Sequence, residues 1–343
     1  MKHKLALLGF GTVGQGLCEI LLSKSEQLKA QYGFEWEVVA VSDMLKGSVC
    51  SPDGLDTKKL LELAAAGTSL EEYDGAAEKG WDALKTVREC NADIVCEMTY
   101  TDVKTGQPAT DHCRAAFETG KHIVTSNKGP AALFYRELVD LATKNNVKFM
   151  IEGTVMSGTP VINLANNTLA GNDISAIKGI LNGTTNFILT NMEAGRPYKD
   201  VLDEAQKLGY AEADPTADVE GFDALAKVTI LANVLMGENL KPSDIPCEGI
   251  TKITLDDIDK AKNEGKRWKL IGQIKREGGK VSASVSPMMI DLSHPLAGVM
   301  GAVNAVTFST DLMQDVTVNG PGAGKIETGY SILIDMLEIH RNS

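Results

Sequence analysis

The chain has 343 residues, of which 43% are hydrophobic, and it carries a formal net charge of -12 at pH 7. This length predicts two domains of ordinary size, each able to bury an apolar core. The acidic charge disfavours nucleic acid as a partner, because binding to a phosphate backbone needs clustered lysine and arginine. The six cysteines lack a C-x-x-C pair, which indicates reduced thiols in a cytoplasmic protein.

The first half of the chain alternates short apolar runs with longer amphipathic ones, a pattern typical of βαβ units around a parallel sheet. The first run follows a basic start, but it is too short for a signal peptide, and no later run approaches the roughly 20 residues of a membrane span. The predicted strands are residues 5–8, 37–41, 92–98, 122–125 and 148–151. The predicted helices are residues 12–29, 107–118 and 131–143, and the polar segment 44–89 is interpreted as an insertion outside the core.

The pattern changes after Gly153, where strands and helices of varied length follow one another. The predicted strands there are residues 174–181, 281–289, 303–308 and 315–318. We therefore expect an α/β fold with a doubly wound parallel sheet in residues 1–151 and a second, α+β domain in residues 152–321. Residues 322–343 are predicted to pack back on the first domain.

The six residues after the first predicted strand form a G-x-G-x-x-G pattern: Gly9, Phe10, Gly11, Thr12, Val13 and Gly14. The first glycine of such a pattern permits a tight turn, the second lets backbone N–H groups approach a pyrophosphate, and the third allows close helix packing. The helix N-terminus adds partial positive charge. At the start of a βαβ pattern, this motif predicts a Rossmann domain that binds a dinucleotide.

The end of the second predicted strand carries two opposing signals for the type of dinucleotide. Asp43 stands where an acid hydrogen-bonds the adenosine ribose of NAD, or it is an ordinary turn residue. Lys46 just beyond it is placed to meet the 2'-phosphate of NADP. The sequence therefore leaves the preference between NAD and NADP open.

A cluster of acidic residues precedes one lysine in the second half of the chain. Its members are Glu212, Asp214, Asp218, Glu220, Asp223 and finally Lys227. Because Asp223 and Lys227 are four residues apart on a predicted helix, the cluster is either a solvated loop with a surface ion pair or a binding site for an ammonium group. An EF-hand is excluded, because counting from Asp214 places valine and leucine where glycine and glutamate are required.

Residues 208–227 resemble the signature of homoserine dehydrogenases, with its acids, glycines and lysine in place. The resemblance covers nearly the whole chain and extends to residues 97–101, 126–128, 152–158, 182–187 and 320–324. It implies the reversible NAD(P)-dependent conversion of L-homoserine to L-aspartate 4-semialdehyde, on the route to threonine and methionine. It also implies a homodimer formed through the second, substrate-binding domain, with residues 174–181 as a contact.

The resemblance further implies roles for single residues in catalysis and substrate binding. Lys227 would be the proton donor and acceptor at the substrate oxygen, next to Asp223 on the same helix. Lys128 would assist at that oxygen and touch the cofactor. The amino acid would be bound or oriented by Glu212, Asp218 and Asp223.

For the cofactor and a cation, the resemblance implies two further sets of residues. The nicotinamide side would be lined by Thr99, Ser126 and Gly324. A monovalent cation such as Na⁺ would be held by the backbone carbonyls of Glu152, Val155, Ser157 and Thr159. The chain departs from the family at Tyr100, where proline is more usual, and because the sequence ends soon after Gly324 we expect no C-terminal regulatory domain.

Two other functions compete with this interpretation. One is a Rossmann dehydrogenase for another small hydroxy acid that lacks the amino group. The other is a nucleotide-sensing protein that keeps the fold without catalysis. The retention of Lys128 and Lys227 together with three acids argues against the sensor, because a sensor has no need of them.

Overall fold

The computed structural model describes residues 2–342, which form two compact units. One unit contains the residues up to Gly158 together with those from Gly324 onward, and the other contains Thr159–Ala323. The sequence analysis placed these boundaries at residues 151/152 and 321/322. Within residues 2–342, the helices are all too short or too polar to cross a membrane.

The first unit is built on a seven-stranded sheet whose middle strands are parallel. Its strands are β1 (Lys2–Leu8), β2 (Glu35–Asp43), β3 (Gly47–Cys50), β4 (Glu78–Lys79), β5 (Ile94–Glu97), β6 (His122–Thr125) and β7 (Phe149–Met150). Their order in the sheet is β4-β3-β2-β1-β5-β6-β7. The chain order therefore reverses between β1 and β5, which makes this the switch point where doubly wound sheets bind ligands.

The helices of the first unit cover both faces of the sheet, as the apolar clusters on either side indicate. They are α1 (Thr12–Tyr32), α2 (Thr57–Ala65), α3 (Ala83–Glu89), α4 (Ala109–Glu118), α5 (Lys128–Leu133), α6 (Tyr135–Lys144) and a C-terminal helix (Lys325–Arg341). The C-terminal helix packs on α1 at two glycines. A Cβ on Gly16 would lie 2.2 Å from the carbonyl oxygen of Lys325, and one on Gly329 would lie 2.6 Å from the nitrogen of Leu17.

The segment 44–89 belongs to the core of the first unit, so its interpretation as an insertion was wrong. β3 pairs antiparallel with β2 and extends the sheet, and β4 pairs with β3. Leu60 and Leu70 are fully buried in the same apolar cluster as α1. Short elements separated by polar turns gave this segment no long apolar run, although every element except β4 buries between one and three residues.

The second unit contains a five-stranded antiparallel sheet covered by helices. Its strands are β8 (Ile174–Ile180), β9 (Lys266–Glu277), β10 (Lys280–Asp291), β11 (Val303–Thr310) and β12 (Gln314–Pro321), in the order β10-β9-β8-β11-β12. Its helices are α7 (Gly183–Met192), α8 (Tyr198–Lys207), α9 (Thr216–Val219), α10 (Phe222–Leu235) and α11 (Leu255–Asn263). Together the two sheets confirm the predicted fold class: an α/β unit with a mainly parallel sheet and a second, α+β unit.

Candidate active site residues in the two units

The glycine loop between β1 and α1 has the geometry expected of a pyrophosphate-binding turn. Gly9 has φ +86°, and a Cβ there would lie 2.5 Å from the carbonyl oxygen of Met98. A Cβ on Gly14 would lie 2.5 Å from the carbonyl oxygen of Gly9, whereas one on Gly11 would meet nothing within 4 Å. Gly11 therefore faces open space, and α1 begins there without an acidic residue in its first turn. This leaves partial positive charge available to an anion.

Asp43 is the last residue of β2 and is hydrogen-bonded to the glycine loop. Its Oδ2 accepts the N–H of Phe10 at 2.7 Å, and its Oδ1 accepts the N–H groups of Leu45 and Lys46 at 2.9 Å each. Burial by itself would raise the pKa of Asp43, but these three hydrogen bonds outweigh it and hold the pKa below its usual value. Asp43 is therefore an ionised turn residue beside the glycine loop, and Met44 next to it is 94% exposed.

The residues predicted on the nicotinamide side of the first unit follow β5 and β6. Thr99 comes two residues after the end of β5, and Ser126 and Lys128 follow β6, where Lys128 is the first residue of α5. Asn127 caps this helix by accepting the N–H of Gly129 at 3.0 Å. In a parallel sheet the carboxyl ends of neighbouring strands share one edge, so these residues lie at the same edge as the glycine loop.

Gly324 and three of the four residues predicted to bind a cation also belong to the first unit, whereas Thr159 belongs to the second. Gly324 has φ +149° and precedes the C-terminal helix. Between Val155 and Thr159 the backbone turns through two non-glycine residues with left-handed conformation, Met156 at φ 59° and Ser157 at φ 56°. Left-handed conformations are uncommon in residues that carry a side chain, so this turn is strained. Residues 2–342 contain no cluster of three or more histidine, cysteine or acidic side chains that could hold a metal ion.

In the second unit, the lysine and two of the acids predicted from the sequence come together. Lys227 lies on α10, a helix that is apolar over most of its surface and packs against β9 and β10. It is only 7% exposed, and its Nζ donates to Oδ2 of Asp223 at 2.7 Å and to the carbonyl oxygen of Leu181 at 2.7 Å. Lys227 and Asp223 therefore form a buried ion pair, whereas their spacing of four residues alone favours a surface pair.

Asn182 joins the two carboxylates of this cluster, and the sequence analysis did not single it out. Its Nδ2 donates to Oδ1 of Asp218 at 2.6 Å and to Oδ2 of Asp223 at 3.0 Å, while its Oδ1 caps α7 by accepting the N–H of Thr185. Burial and then the charge of Asp223 raise the pKa of Asp218, although the Asn182 amide and Lys227 oppose this shift. The signal in the sequence was its position immediately before a helix, which is typical of a capping asparagine.

Glu212 stands apart from this cluster. It is exposed in the loop after α8, and its backbone carbonyl accepts a hydrogen bond from Gln206 at 3.0 Å. Among the residues that the structure describes, its carboxylate has no hydrogen-bond or ion-pair partner. The structure therefore places two of the three predicted substrate-binding acids with Lys227.

The fold and these groups define a class of protein. A glycine loop at the switch point of a doubly wound sheet binds a dinucleotide, and a buried lysine held by carboxylates is suited to exchanging a proton while that dinucleotide carries a hydride. The class is thus a nicotinamide-dependent oxidoreductase. Comparison with known families refines it: the model of the homoserine dehydrogenase NAD-binding domain matches residues 9–152, and that of homoserine dehydrogenase matches residues 160–337.

Individual relatives agree with the family models over the full length of the chain. The NAD(+)-dependent homoserine dehydrogenase of Pseudomonas canavaninivorans is 48% identical, and the match covers 100% of this chain and 97% of the relative. A homoserine dehydrogenase of Methanocaldococcus jannaschii is 43% identical, with 99% of each chain covered. A hyperthermophilic archaeal homoserine dehydrogenase solved with NADPH superposes with a TM-score of 0.85 at 31% identity, covering 100% of this chain and 99% of that one. The chain belongs to the homoserine dehydrogenase family, which confirms the resemblance found in its sequence.

Proposed function

We propose that this protein catalyses the reversible oxidation of L-homoserine to L-aspartate 4-semialdehyde with NAD or NADP. The observation that carries the proposal is the buried cluster of Lys227, Asp223, Asp218 and Asn182 in a chain that also has a dinucleotide loop. The bound nicotinamide supplies or accepts the hydride, and the protein must position the carbinol carbon and move one proton. This reaction lies on the route to threonine and methionine, and we expect the enzyme to act in the cytoplasm.

Lys227 is suited to be the proton donor and acceptor at the substrate oxygen. An ammonium group has three N–H donors, and the contacts with Asp223 and Leu181 account for two of them. The third is available to donate a hydrogen bond to the aldehyde oxygen and then its proton as the alcohol forms. In the opposite direction, the neutral amine takes the proton of the alcohol. Lys128, at the start of α5, is proposed to assist at the same oxygen.

The carboxylates explain a preference for a substrate with an amino group. Asp218 and Asp223 share the amide of Asn182 and are balanced by one lysine, so the cluster has an excess of negative charge when both acids are ionised. A substrate ammonium would neutralise this excess and relieve the repulsion from Asp223 that, after burial, raises the pKa of Asp218. Glu212 is proposed to contribute to the same binding from its exposed loop.

Two observations favour NAD over NADP. The ionised carboxylate of Asp43 is held by backbone N–H groups rather than by a cationic side chain, so its negative charge would repel a 2'-phosphate. A relative with 48% identity is named NAD(+)-dependent. Lys46 carries the opposite charge and would attract a 2'-phosphate, so NAD and NADP are compared separately in the test below.

A monovalent cation and a dimer remain part of the proposal. The strained turn at Met156 and Ser157 fits a loop that offers backbone oxygens, and the backbone carbonyls of Glu152, Val155, Ser157 and Thr159 would hold the ion.

For the dimer, both edges of β8 are already paired, with β9 on one side and β11 on the other. A contact through residues 174–181 would therefore use the face of the sheet.

The proposal is tested by following nicotinamide absorbance with L-homoserine, separately with NAD and NADP. We expect turnover, faster with NAD, and little turnover of a hydroxy acid of equal length that lacks the amino group. Lys227→Met should lower kcat by about 10²- to 10⁴-fold, the usual contribution of general acid–base catalysis. Lys199→Met is the matched control, because Lys199 forms an exposed i,i+4 pair with Asp203. Equal turnover of both substrates would favour the alternative dehydrogenase, and nucleotide binding without turnover would favour a sensor.

A further inference from the structure

Glu97 is a fully buried acid at the switch point of the first sheet. It is 0% exposed and is the last residue of β5, where it pairs with Leu8, the residue immediately before Gly9. Burying a carboxylate is costly unless hydrogen bonds and opposite charges compensate. The role of Glu97 should therefore lie in the groups that its carboxylate holds in place.

The two oxygens of Glu97 contact residues from three different elements. Oε1 accepts hydrogen bonds from the hydroxyl and, at 3.4 Å, the N–H of Thr99, and it lies 3.3 Å from Nδ1 of His112 on α4. Oε2 lies 3.3 Å from the hydroxyl of Thr125 at the end of β6. His112 is itself 3% exposed, so the contacts of the carboxylate are shielded from water and electrostatically strong.

The same network continues into the loop that begins α5. The hydroxyl of Thr125 donates to the backbone carbonyl of Glu97 at 2.7 Å and accepts the N–H of Asn127 at 2.9 Å. Asn127 in turn donates from Nδ2 to the carbonyl oxygens of Thr99 and Tyr100, at 3.2 Å each, and caps the helix that starts at Lys128. Hydrogen bonds of Glu97, Thr125 and Asn127 thus hold the loops after β5 and β6 together.

We propose that Glu97, supported by His112, is the positioning residue that fixes Thr99 and the start of α5 for hydride transfer. The inference rests on the proposed function. Thr99 is one of the residues proposed to line the nicotinamide side, Lys128 is proposed to assist at the substrate oxygen and to touch the cofactor, and the network has one of them at each end. A displacement of about 1 Å in a reacting group lowers the rate of the chemical step by about 100-fold.

The test combines two single variants, their double variant and a control. Glu97→Gln keeps the size of the side chain but removes its charge and one acceptor, and Thr99→Val removes the hydroxyl that Glu97 holds. We expect each to lower kcat by about 10- to 100-fold while the Kd for the dinucleotide changes less than about threefold. The double variant should lose little more than either single variant, because the two residues act as one unit. The control is Thr101→Val, on the same loop with a hydroxyl outside these hydrogen bonds, which should retain full activity.

A kinetic isotope effect separates a loss of positioning from a general loss of structure. With homoserine carrying deuterium at the carbinol carbon, the isotope effect on kcat should be larger in Glu97→Gln than in the wild type, because hydride transfer becomes slower than the other steps. An unchanged kcat, an unchanged isotope effect or additive losses would overturn the proposal. If Glu97→Gln does not fold, the same effects must be seen in His112→Asn, which alters the contact of Oε1 with α4. Lack of turnover by the wild type would instead refute the proposed function.

Discussion

The glycine loop of the first unit and the lysine cluster of the second are built in opposite ways for the ligands that we propose they bind. The loop works because side-chain atoms are absent: space is open at Gly11, and backbone N–H groups are left to meet an anion. The cluster depends on side-chain atoms that are present and buried, with Asp223 and the carbonyl oxygen of Leu181 holding Lys227 and Asn182 holding Asp223. Adding side-chain atoms should therefore weaken binding at the glycine loop, whereas changing hydrogen-bond donors or charges should impair the lysine cluster.

The largest effect is expected from Gly11→Asp. A Cβ at Gly11 meets nothing within 4 Å, so the fold should tolerate the substitution, but the new carboxylate would stand where the pyrophosphate binds. We expect the Kd for NAD to rise about 100-fold, through charge repulsion and loss of close backbone approach. Titration of protein fluorescence with NAD measures this. Gly298→Asp is a matched control, because Gly298 in the second unit also faces open space. Equal binding by the Gly11 variant would place the pyrophosphate elsewhere.

The second prediction concerns the amide that joins the two acids. Asn182→Asp preserves the acceptor that caps α7 but replaces the donor to Asp218 and Asp223 with a third negative charge. We expect the KM for homoserine to change at least about tenfold, because hydrogen bonds to charged groups contribute about 1.5–3 kcal/mol. Nucleotide affinity should stay the same, as measured in the same titration. If KM and kcat both match the wild type, Asn182 has no part in substrate binding and serves only as a helix cap.

The stability of the second unit should increase with pH because of a buried lysine on β9. Lys269 is 0% exposed and donates to Oδ1 of Asn186 at 2.7 Å and to the carbonyl oxygen of Val299 at 2.6 Å. Burial lowers its pKa to about 8, from 10.5 in the unfolded chain. Between these values the unfolded state binds more protons, so the free energy of unfolding rises with pH, by on the order of 1 kcal/mol per pH unit.

Urea unfolding at pH 7.5, 8.5 and 9.5 tests this assignment, with Lys269→Met as the comparison. Methionine has a similar length and no titratable group, so the variant should lack the added stability at high pH whatever its stability at pH 7.5. Identical slopes against pH in both proteins would show that Lys269 is not the group responsible.

In the first unit we expect a smaller effect of pH on stability, which develops as the pH falls below 6.5. Nε2 of His3 lies 3.0 Å from Nδ1 of His340, whose Nε2 donates to the carbonyl oxygen of Tyr32 at 3.0 Å. In the tautomer that leaves Nδ1 of His340 as an acceptor, Nε2 of His3 donates to it. Burial and then His340 lower the pKa of His3 below 6.5. Its contribution to stability is complete above pH 6.5 and is lost as pH falls through the lowered pKa.

Thermal unfolding at pH 7 and pH 5 measures this loss. The drop in Tm should be smaller in His3→Gln, because glutamine can still donate to His340 and does not titrate. A drop equal to that of the wild type would assign the acid sensitivity to other groups.

The difference between the two sites also explains what the sequence could predict. Contiguous features were predictable: β6 begins and ends at the predicted residues 122 and 125, and the glycine loop follows β1 as its spacing indicates. β9 was missed because Lys269, at a core position, interrupts the alternation of apolar residues. Asn182 was missed because its partners come from α9 and α10, and only the folded chain brings them to it.

The close packing of Gly16 on α1 against Lys325 has a consequence for how the protein is made. The groove on α1 is synthesised early, but the helix that fills it follows the entire second unit in the chain. During translation the apolar side chains of α1, among them Leu17 and Leu21, therefore stay incompletely covered until the C-terminal helix has been synthesised. The nascent chain should be most dependent on chaperones, and most open to proteolysis, in the interval before the C-terminal helix emerges.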